Sequence, residues 1–180
     1  MPTIFSHAIF AAAAGKAAVK KNVVFGFRLL TAACAMLPDA DVLAASVFDI
    51  ERGGIFAHRG FTHSIIFALL SGSLAALFAD KFLRVGISYL KLFAYFTLAV
   101  LTHPLLDMLT DGGSGIALFA PFTNARFFFP WRPVEVSPIG LRFFSDRGLD
   151  VILSEIIWIW LPSAIILLTA AIVRKLRKGE

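Results

Sequence analysis

The chain alternates long apolar stretches with short polar ones. Residues 3–19, 23–37, 64–79, 87–109 and 149–173 are apolar with few charges, and Lys, Arg, Asp, Pro or Gly bounds each of them. These lengths predict membrane helices, because a hydrocarbon core of roughly 30 Å takes about 20 helical residues and offers unpaired backbone no partner. The first two runs are short for that thickness, so tilt, snorkelling lysines or a locally thinner bilayer must make up the difference. Pro38 stops the second run, since the residue before a proline disfavours helix. Thr62 or Ser64 can cap the third by accepting a hydrogen bond from an early backbone N–H, and Pro104 predicts a kink in the fourth beside His103. Residues 39–61, with Asp49, Glu51, Arg52, Gly53 and Gly54, read as a loop, with room for a short helix. Residues 112–150 read as a long connection whose aromatic cluster suits the headgroup region. The expected fold is an all-α integral membrane protein, a single bundle of about five transmembrane helices forming one domain over residues 1–180.

Composition agrees with this class. Hydrophobic residues make up 58% of the chain, above the roughly 45–50% of soluble proteins. Mean hydropathy is +0.81. A lone cysteine, Cys34, leaves neither an intrachain disulfide nor a thiolate cluster to form. The first apolar run has no basic stretch before it, so no removable leader is expected. The net charge of +5 sits in short clusters beside the apolar runs, which points to topology and away from nucleic acid.

Five alternating spans gather Lys16, Lys20, Lys21, Arg28, Lys81, Arg84, Lys91, Arg174, Lys175, Arg177 and Lys178 on one side, eleven of the 17 basic residues. The positive-inside rule makes that side cytoplasmic. The other end then faces outward, and all four histidines, His7, His58, His63 and His103, fall there with Asp39, Asp41 and Asp107. Charge asymmetry and ligand placement are independent readings that agree on one polar cluster.

The residue types in that cluster are those of a metal site. Neutral imidazole and ionised carboxylate form the first shell of zinc, or of manganese when oxygen predominates. His103 and Asp107 are i, i+4 and share a helix face, with Asp111 one step further. His58 and His63 would diverge on a single helix, so Gly60 must turn the chain if both are ligands. Glu155 lies inside the last apolar run, where an ionisable group needs a cation or donors around it. The candidate ligands are His7, Asp39, Asp41, His58, His63, His103, Asp107 and Glu155, with Asp41 or Glu155 as general base if it is not a ligand. Arg59, Arg126, Arg132, Arg142 and Arg147 lie at the same end and could fork onto phosphate oxygens, with Arg59 the catalytic candidate. The sequence has neither a Gly-x-Ser-x-Gly elbow nor a phosphate loop, which disfavours a serine triad and nucleotide-driven chemistry.

In order, His7, Pro38-Asp-x-Asp41, His58-Arg-Gly-x-Thr-His-Ser64, His103-x-x-x-Asp107-x-x-Thr-Asp-Gly112 and Pro121-Phe122 resemble the LexA-regulated, YdjM-like inner-membrane metal-dependent hydrolases. The resemblance covers most of the chain and implies a bacterial or archaeal cytoplasmic membrane protein with metal-dependent hydrolase activity. More distantly the order is similar to helical zinc-dependent phospholipase C and nuclease families. That likeness implies His7, Asp39 or Asp41, His63, His103, Asp107 and Glu155 as ligands. The chain departs in lacking a late His-x-x-x-Glu and an N-terminal Trp, which favours one or two ions over a three-zinc cluster.

The expected function is hydrolysis, by metal-activated water, of a phosphoester in a lipid or lipid-linked substrate at the extracytoplasmic face, with zinc ahead of manganese. A transporter or metal-responsive protein that binds an ion without chemistry is the alternative, and a purely structural bundle the third reading.

Overall fold

The computed structural model describes residues 1–19, 23–42, 53–138 and 143–177. Arg142 and residues 43–52 of the expected loop at 39–61, with Asp49, Glu51 and Arg52 among them, lie outside the described residues, as do Lys20, Lys21 and Lys178.

Among the described residues, five helices make up the bundle: α1 (Ile4–Ala18), α2 (Phe25–Met36), α3 (Ile65–Leu83), α4 (Tyr89–Asp107) and α5 (Asp146–Leu176). Only α3, α4 and α5, among the described residues, have the length and hydropathy of full membrane spans. At 15 and 12 residues, α1 and α2 reach about 22 and 18 Å, so they fall short of the expected span. The described residues contain no strand, only two isolated bridges, Thr110 with Val134 and Ile116 with Phe127.

The helix ends follow local chemistry. α2 stops at Met36, and Leu37–Asp39 tightens into a 3-10 turn around Pro38. The Ser64 side chain caps α3 by accepting from the Phe67 N–H at 3.1 Å. In α5 the ladder widens to a π-helical register over Ile156–Trp160, just before Pro162, which has no N–H to continue it. α5 also begins earlier than the apolar run suggests, because Asp146–Glu155 forms an amphipathic first section.

The interior of the bundle combines many small and polar side chains with a few large apolar ones such as Phe27, Leu92 and Phe96, and most other large apolar side chains point out. α3 turns Ala68, Gly72, Ala75, Ala76 and Ala79 inward at helical spacing, against Phe96, Ala99 and Val100 of α4. Leu70, Leu74 and Leu77 face away, as do Leu149, Leu153, Leu161, Ile165, Leu168 and Ile172 of α5. Lipid is as apolar as leucine, so helices in a membrane associate through close backbone approach at small residues. α1 packs on α2, α4 and α5, which completes the bundle around Phe27 and Leu92.

A Cβ at position 72 would stand 2.3 Å from Thr97 Oγ1 and 2.7 Å from the Thr97 backbone nitrogen. Gly72→Leu is therefore expected to cost at least about 1–3 kcal/mol, as overpacked cores do. The measurement is unfolding in detergent, with the outward Leu74→Ala as a control that changes little.

Candidate metal centre

Four separate elements deliver the donors. His7 lies one turn into α1, Asp39 closes the turn after α2, His63 closes a 3-10 turn at Phe61–His63, and His103 and Asp107 share one face at the end of α4. His7, His63, His103 and Asp107 have no exposed surface, and Asp39 is also buried. Three triads each bring ligand atoms within 4.8 Å of one another: His7, His103 and Asp107; Asp39, His63 and His103; and Asp41, His58 and His63. The first two share His103 and form an inner group, and the third is an outer group that meets it at His63.

The inner group has unmet chemistry. His7 Nδ1 and Nε2, His63 Nε2, His103 Nε2 and both carboxylate oxygens of Asp39 and Asp107 are buried without a hydrogen-bond partner. His103 Nε2 lies 3.2 Å from Asp39 Oδ1, His7 Nε2 3.5 Å from Asp107 Oδ1, and His63 Nε2 3.6 Å from Asp107 Oδ2 and 3.7 Å from Asp39 Oδ1. Atoms held roughly 2.0–2.1 Å from a tetrahedral ion stand about 3.3 Å apart, so this set is spaced as the edges of a coordination shell. Mixed imidazole and carboxylate donors fit zinc or manganese.

Neighbouring groups aim these donors. His103 Nδ1 is 2.7 Å from the Ala35 carbonyl; donating there leaves Nε2 as the lone-pair atom facing the cluster. Thr62 Oγ1 donates to Asp41 Oδ2 at 2.7 Å and lies 3.0 Å from His63 Nδ1, which orients His63 in the same sense. The His7 ring stacks on His103 at 3.6 Å between centroids. Burial disfavours a charged imidazole at His63, but contacts with Asp39 and Asp41 and the charge of Asp107 outweigh it, and its pKa is pushed up to about 9. Burial likewise opposes ionisation of Asp39 and Asp41, yet their histidine contacts prevail and hold both carboxyls below the usual range.

The outer group differs because its atoms already have partners. Asp41 Oδ1 lies 2.8 Å from His58 Nδ1, and Asp41 Oδ2 also accepts from the Arg59 N–H at 3.2 Å. The His58 side chain is 25% exposed, so this pair forms the solvent edge of the cluster. Gly60 makes the turn that separates His58 from His63, in so tight a bend that a Cβ there would stand 2.1 Å from the Ile55 carbonyl oxygen.

Glu155 joins none of the three groups. Its carboxylate accepts from the Thr3 N–H, from Thr3 Oγ1 at 2.6 Å and from Ser6 Oγ at 2.7 Å, while Trp160 Nε1 donates to Ser6 Oγ at 2.7 Å. A carboxylate at a helix N-terminus is stabilised by the free N–H groups, so Glu155 docks the start of α1 and thereby sets His7 one turn on. Its oxygens are engaged with the start of α1 and lie outside the three groups. Asp111 also lies apart, accepting from the Val136 N–H at 2.8 Å.

Arg59 faces the cluster and not the surface. It is 1% exposed, with a left-handed backbone (φ 65°), and its guanidinium is turned inward. Nε pairs with Asp107 Oδ2 at 3.1 Å, and the terminal nitrogens donate to the Gly112 carbonyl and Thr110 Oγ1. A Cβ at Gly113 would meet the guanidinium at 2.2 Å, so glycine is needed there. Arg126 is engaged as well, donating to Ser114 Oγ and to the carbonyls of Gly54, His58, Arg59 and Gly115. Arg132 lies over the Phe128 ring, and Arg147 pairs with Glu135. The supporting partners Ala35, Thr3 and Trp160 were not legible beforehand, since a backbone carbonyl leaves no trace in a sequence and Thr3 and Trp160 meet Glu155 and Ser6 from about 150 residues away.

Known proteins match the chain along nearly its whole length. The family model described as YdjM inner membrane protein matches residues 1–178. Inner membrane protein YbcI of Escherichia coli (strain K12) is 38% identical over 170 residues, covering 93% of this chain and 95% of that one. No solved structure matches the chain. A whole-length match to the model, a relative of nearly equal length and span-length helices around a shared polar cluster lead to one conclusion: the chain belongs to the YdjM inner membrane protein family.

Proposed function

We propose that the protein is a membrane-embedded, metal-dependent hydrolase acting on a phosphoester of a lipid or lipid-linked substrate. The observation that carries this reading is the inner group, five buried residues from four elements with unpartnered ligand atoms at coordination spacing. His7, Asp39, His63, His103 and Asp107 would hold one divalent ion, zinc ahead of manganese. A divalent ion there supplies Lewis-acid polarisation and a hydrolytic nucleophile at neutral pH. Asp41 and His58 sit beside it as a hydrogen-bonded pair with one member at solvent, suited to moving a proton between cluster and water. Arg59 holds Asp107 in place, and Glu155 positions His7. Exposed Phe56, Phe122 and Trp131 at the same end give a lipid-facing rim. The complete burial of His7, His63, His103 and Asp107 also favours a second reading, an ion held for transport or sensing without chemistry.

The two readings separate by experiment. Purified protein is expected to carry about one zinc or manganese ion per chain, and to turn over a member of a phospholipid and phosphodiester panel in a chelator-sensitive way. His103→Ala and Asp107→Ala should lose both metal and turnover. His58→Ala should keep the metal and lower turnover by about a hundredfold or more, whereas Glu155→Gln should keep the metal. Stoichiometric metal without turnover on any substrate would favour the second reading, and absence of metal after supplementation would end both.

Metal affinity should depend on pH in a definite direction. With His63 pushed up to about 9, the ion-free site carries a proton on this imidazole at neutral pH, and an ion must displace it. The apparent Kd should fall about tenfold per pH unit from 6 to 8 if one proton leaves. Competition with a chromophoric chelator measures this, and a Kd constant across that range would show that His63 gives up no proton.

The active end is proposed to face the extracytoplasmic side, supported by the eleven-to-six division of basic residues. In a Cys34→Ser background, Ser114→Cys should react with a membrane-impermeant thiol reagent in intact cells and Lys175→Cys should not. The opposite pattern would put the site in the cytoplasm.

A further inference from the structure

At the other end of α1 from His7, the structure contains a cavity of about 430 Å³ enclosed by α1, α2, α4 and α5. Ile9, Ala13, Phe27 and Leu167 contribute apolar walls, and Lys16, Arg28 and Arg174 also line it. The registers of the two parallel helices match. Ile9 and Lys16 on α1, like Leu167 and Arg174 on α5, are seven residues apart, so each helix sets a cation about 10 Å beyond an apolar wall. No carboxylate lines the cavity, and no described acid pairs with these three cations. Arg174 instead donates to the carbonyls of Lys16 and Ala17 at the end of α1, which holds its guanidinium beside Lys16.

A second cavity of about 610 Å³ adjoins the first and shares Val19, Phe27 and Tyr95 with it. It has its own cation, Lys91, and an apolar lining that includes Ala18, Ile87 and Leu98. Two apolar cavities divided by one wall, each carrying positive charge, match a molecule with two hydrocarbon chains and a negative head. Neither cavity touches the histidine cluster.

We propose that this end of the bundle binds an anionic diacyl phospholipid of the adjoining leaflet, with its phosphate on Lys16, Arg28 and Arg174 and one acyl chain in each cavity. The phosphate supplies the anion that these cations lack among the described residues. The chains fill space that packing alone leaves open between short α1, short α2 and α4. Zwitterionic lipid satisfies the cavities but adds a cation beside three others, so the site discriminates by headgroup charge. The bound lipid is a structural ligand at the opposite end from the proposed chemistry, and the inference does not rest on hydrolase activity.

Native mass spectrometry of the full-length protein in detergent, titrated with phosphatidylglycerol or phosphatidylcholine of the same chains, tests it. Phosphatidylglycerol should bind at least about tenfold more tightly, as expected when several cations act together near one phosphate. Lys16→Gln/Arg28→Gln/Arg174→Gln should reduce binding to the phosphatidylcholine level. Ala12→Trp, which fills the first cavity and leaves the charges in place, should weaken both lipids. Lys81→Gln/Lys175→Gln/Arg177→Gln removes the same charge at the same end but outside the cavities, and should bind as the parent does. Equal affinity for the two lipids, unaltered binding in Ala12→Trp, or equal losses in the two triple variants would overturn the proposal. An unchanged helical circular-dichroism spectrum and thermal midpoint in each variant would show that the bundle has folded.

Discussion

Two buried aspartates whose carboxylate oxygens meet too few hydrogen-bond donors for their charge are the constraint around which this protein is built. Asp39 and Asp107 are buried among three imidazoles, at the end of a bundle with an otherwise apolar exterior. Burying an ionised carboxylate is costly unless opposite charge and hydrogen bonds surround it. Part of the compensation is visible: Arg59 against Asp107, and the histidines against Asp39. The rest is what a bound cation would provide. The surroundings follow from this need. The tight bend at Gly60 carries His58 and His63 to different sides of Asp41, the Gly113 backbone makes room for Arg59, and Glu155 fixes the start of the helix that brings in His7.

Much of this was legible in the sequence, for identifiable reasons. His103 and Asp107 sit on one helix face because α-helical periodicity requires it, and Pro38 had to end α2 near Asp39. Apolar run lengths located five helices, and the predicted Ser64 cap is present. The roles of charged residues were harder to read. Arg59 and Glu155 have the chemistry of a phosphate clamp and a ligand, and in the fold they meet Asp107 and the α1 terminus. Only three-dimensional position distinguishes these uses, since the deciding partners, Gly112, Gly113, Thr3 and Ser6, carry no signal of their own. The expected run at 149–173 lies within α5, which extends three residues further at each end, where polar Asp146, Arg147, Arg174 and Lys175 blend into the flanking sequence.

The cluster and the bundle that carries it rely on different physics. The α3 and α4 seam depends on small side chains that let two backbones approach, and it would look much the same in any membrane protein. The cluster depends on hydrogen bonds that specify direction, such as the one from His103 to the Ala35 carbonyl, which ties α4 to α2. A packing defect in the seam and a lost orienting bond would therefore act on separate properties: the first on whether the bundle holds, the second on where one nitrogen points.

The carbonyls gathered by Arg126 bear on how deep this end can lie. Measured along the helices, His7 stands about 16 Å from Ala18 and His103 about 21 Å from Tyr89, against a hydrocarbon thickness of about 30 Å. Irregular backbone is admitted to that depth only where its polar groups are satisfied within the protein or by enclosed water. One guanidinium that collects the Gly54, His58, Arg59 and Gly115 carbonyls does this for two chain segments at once. It behaves as a fixed hydration shell made of protein, which satisfies these carbonyls without bulk water and so removes one cost of placing such loops at depth.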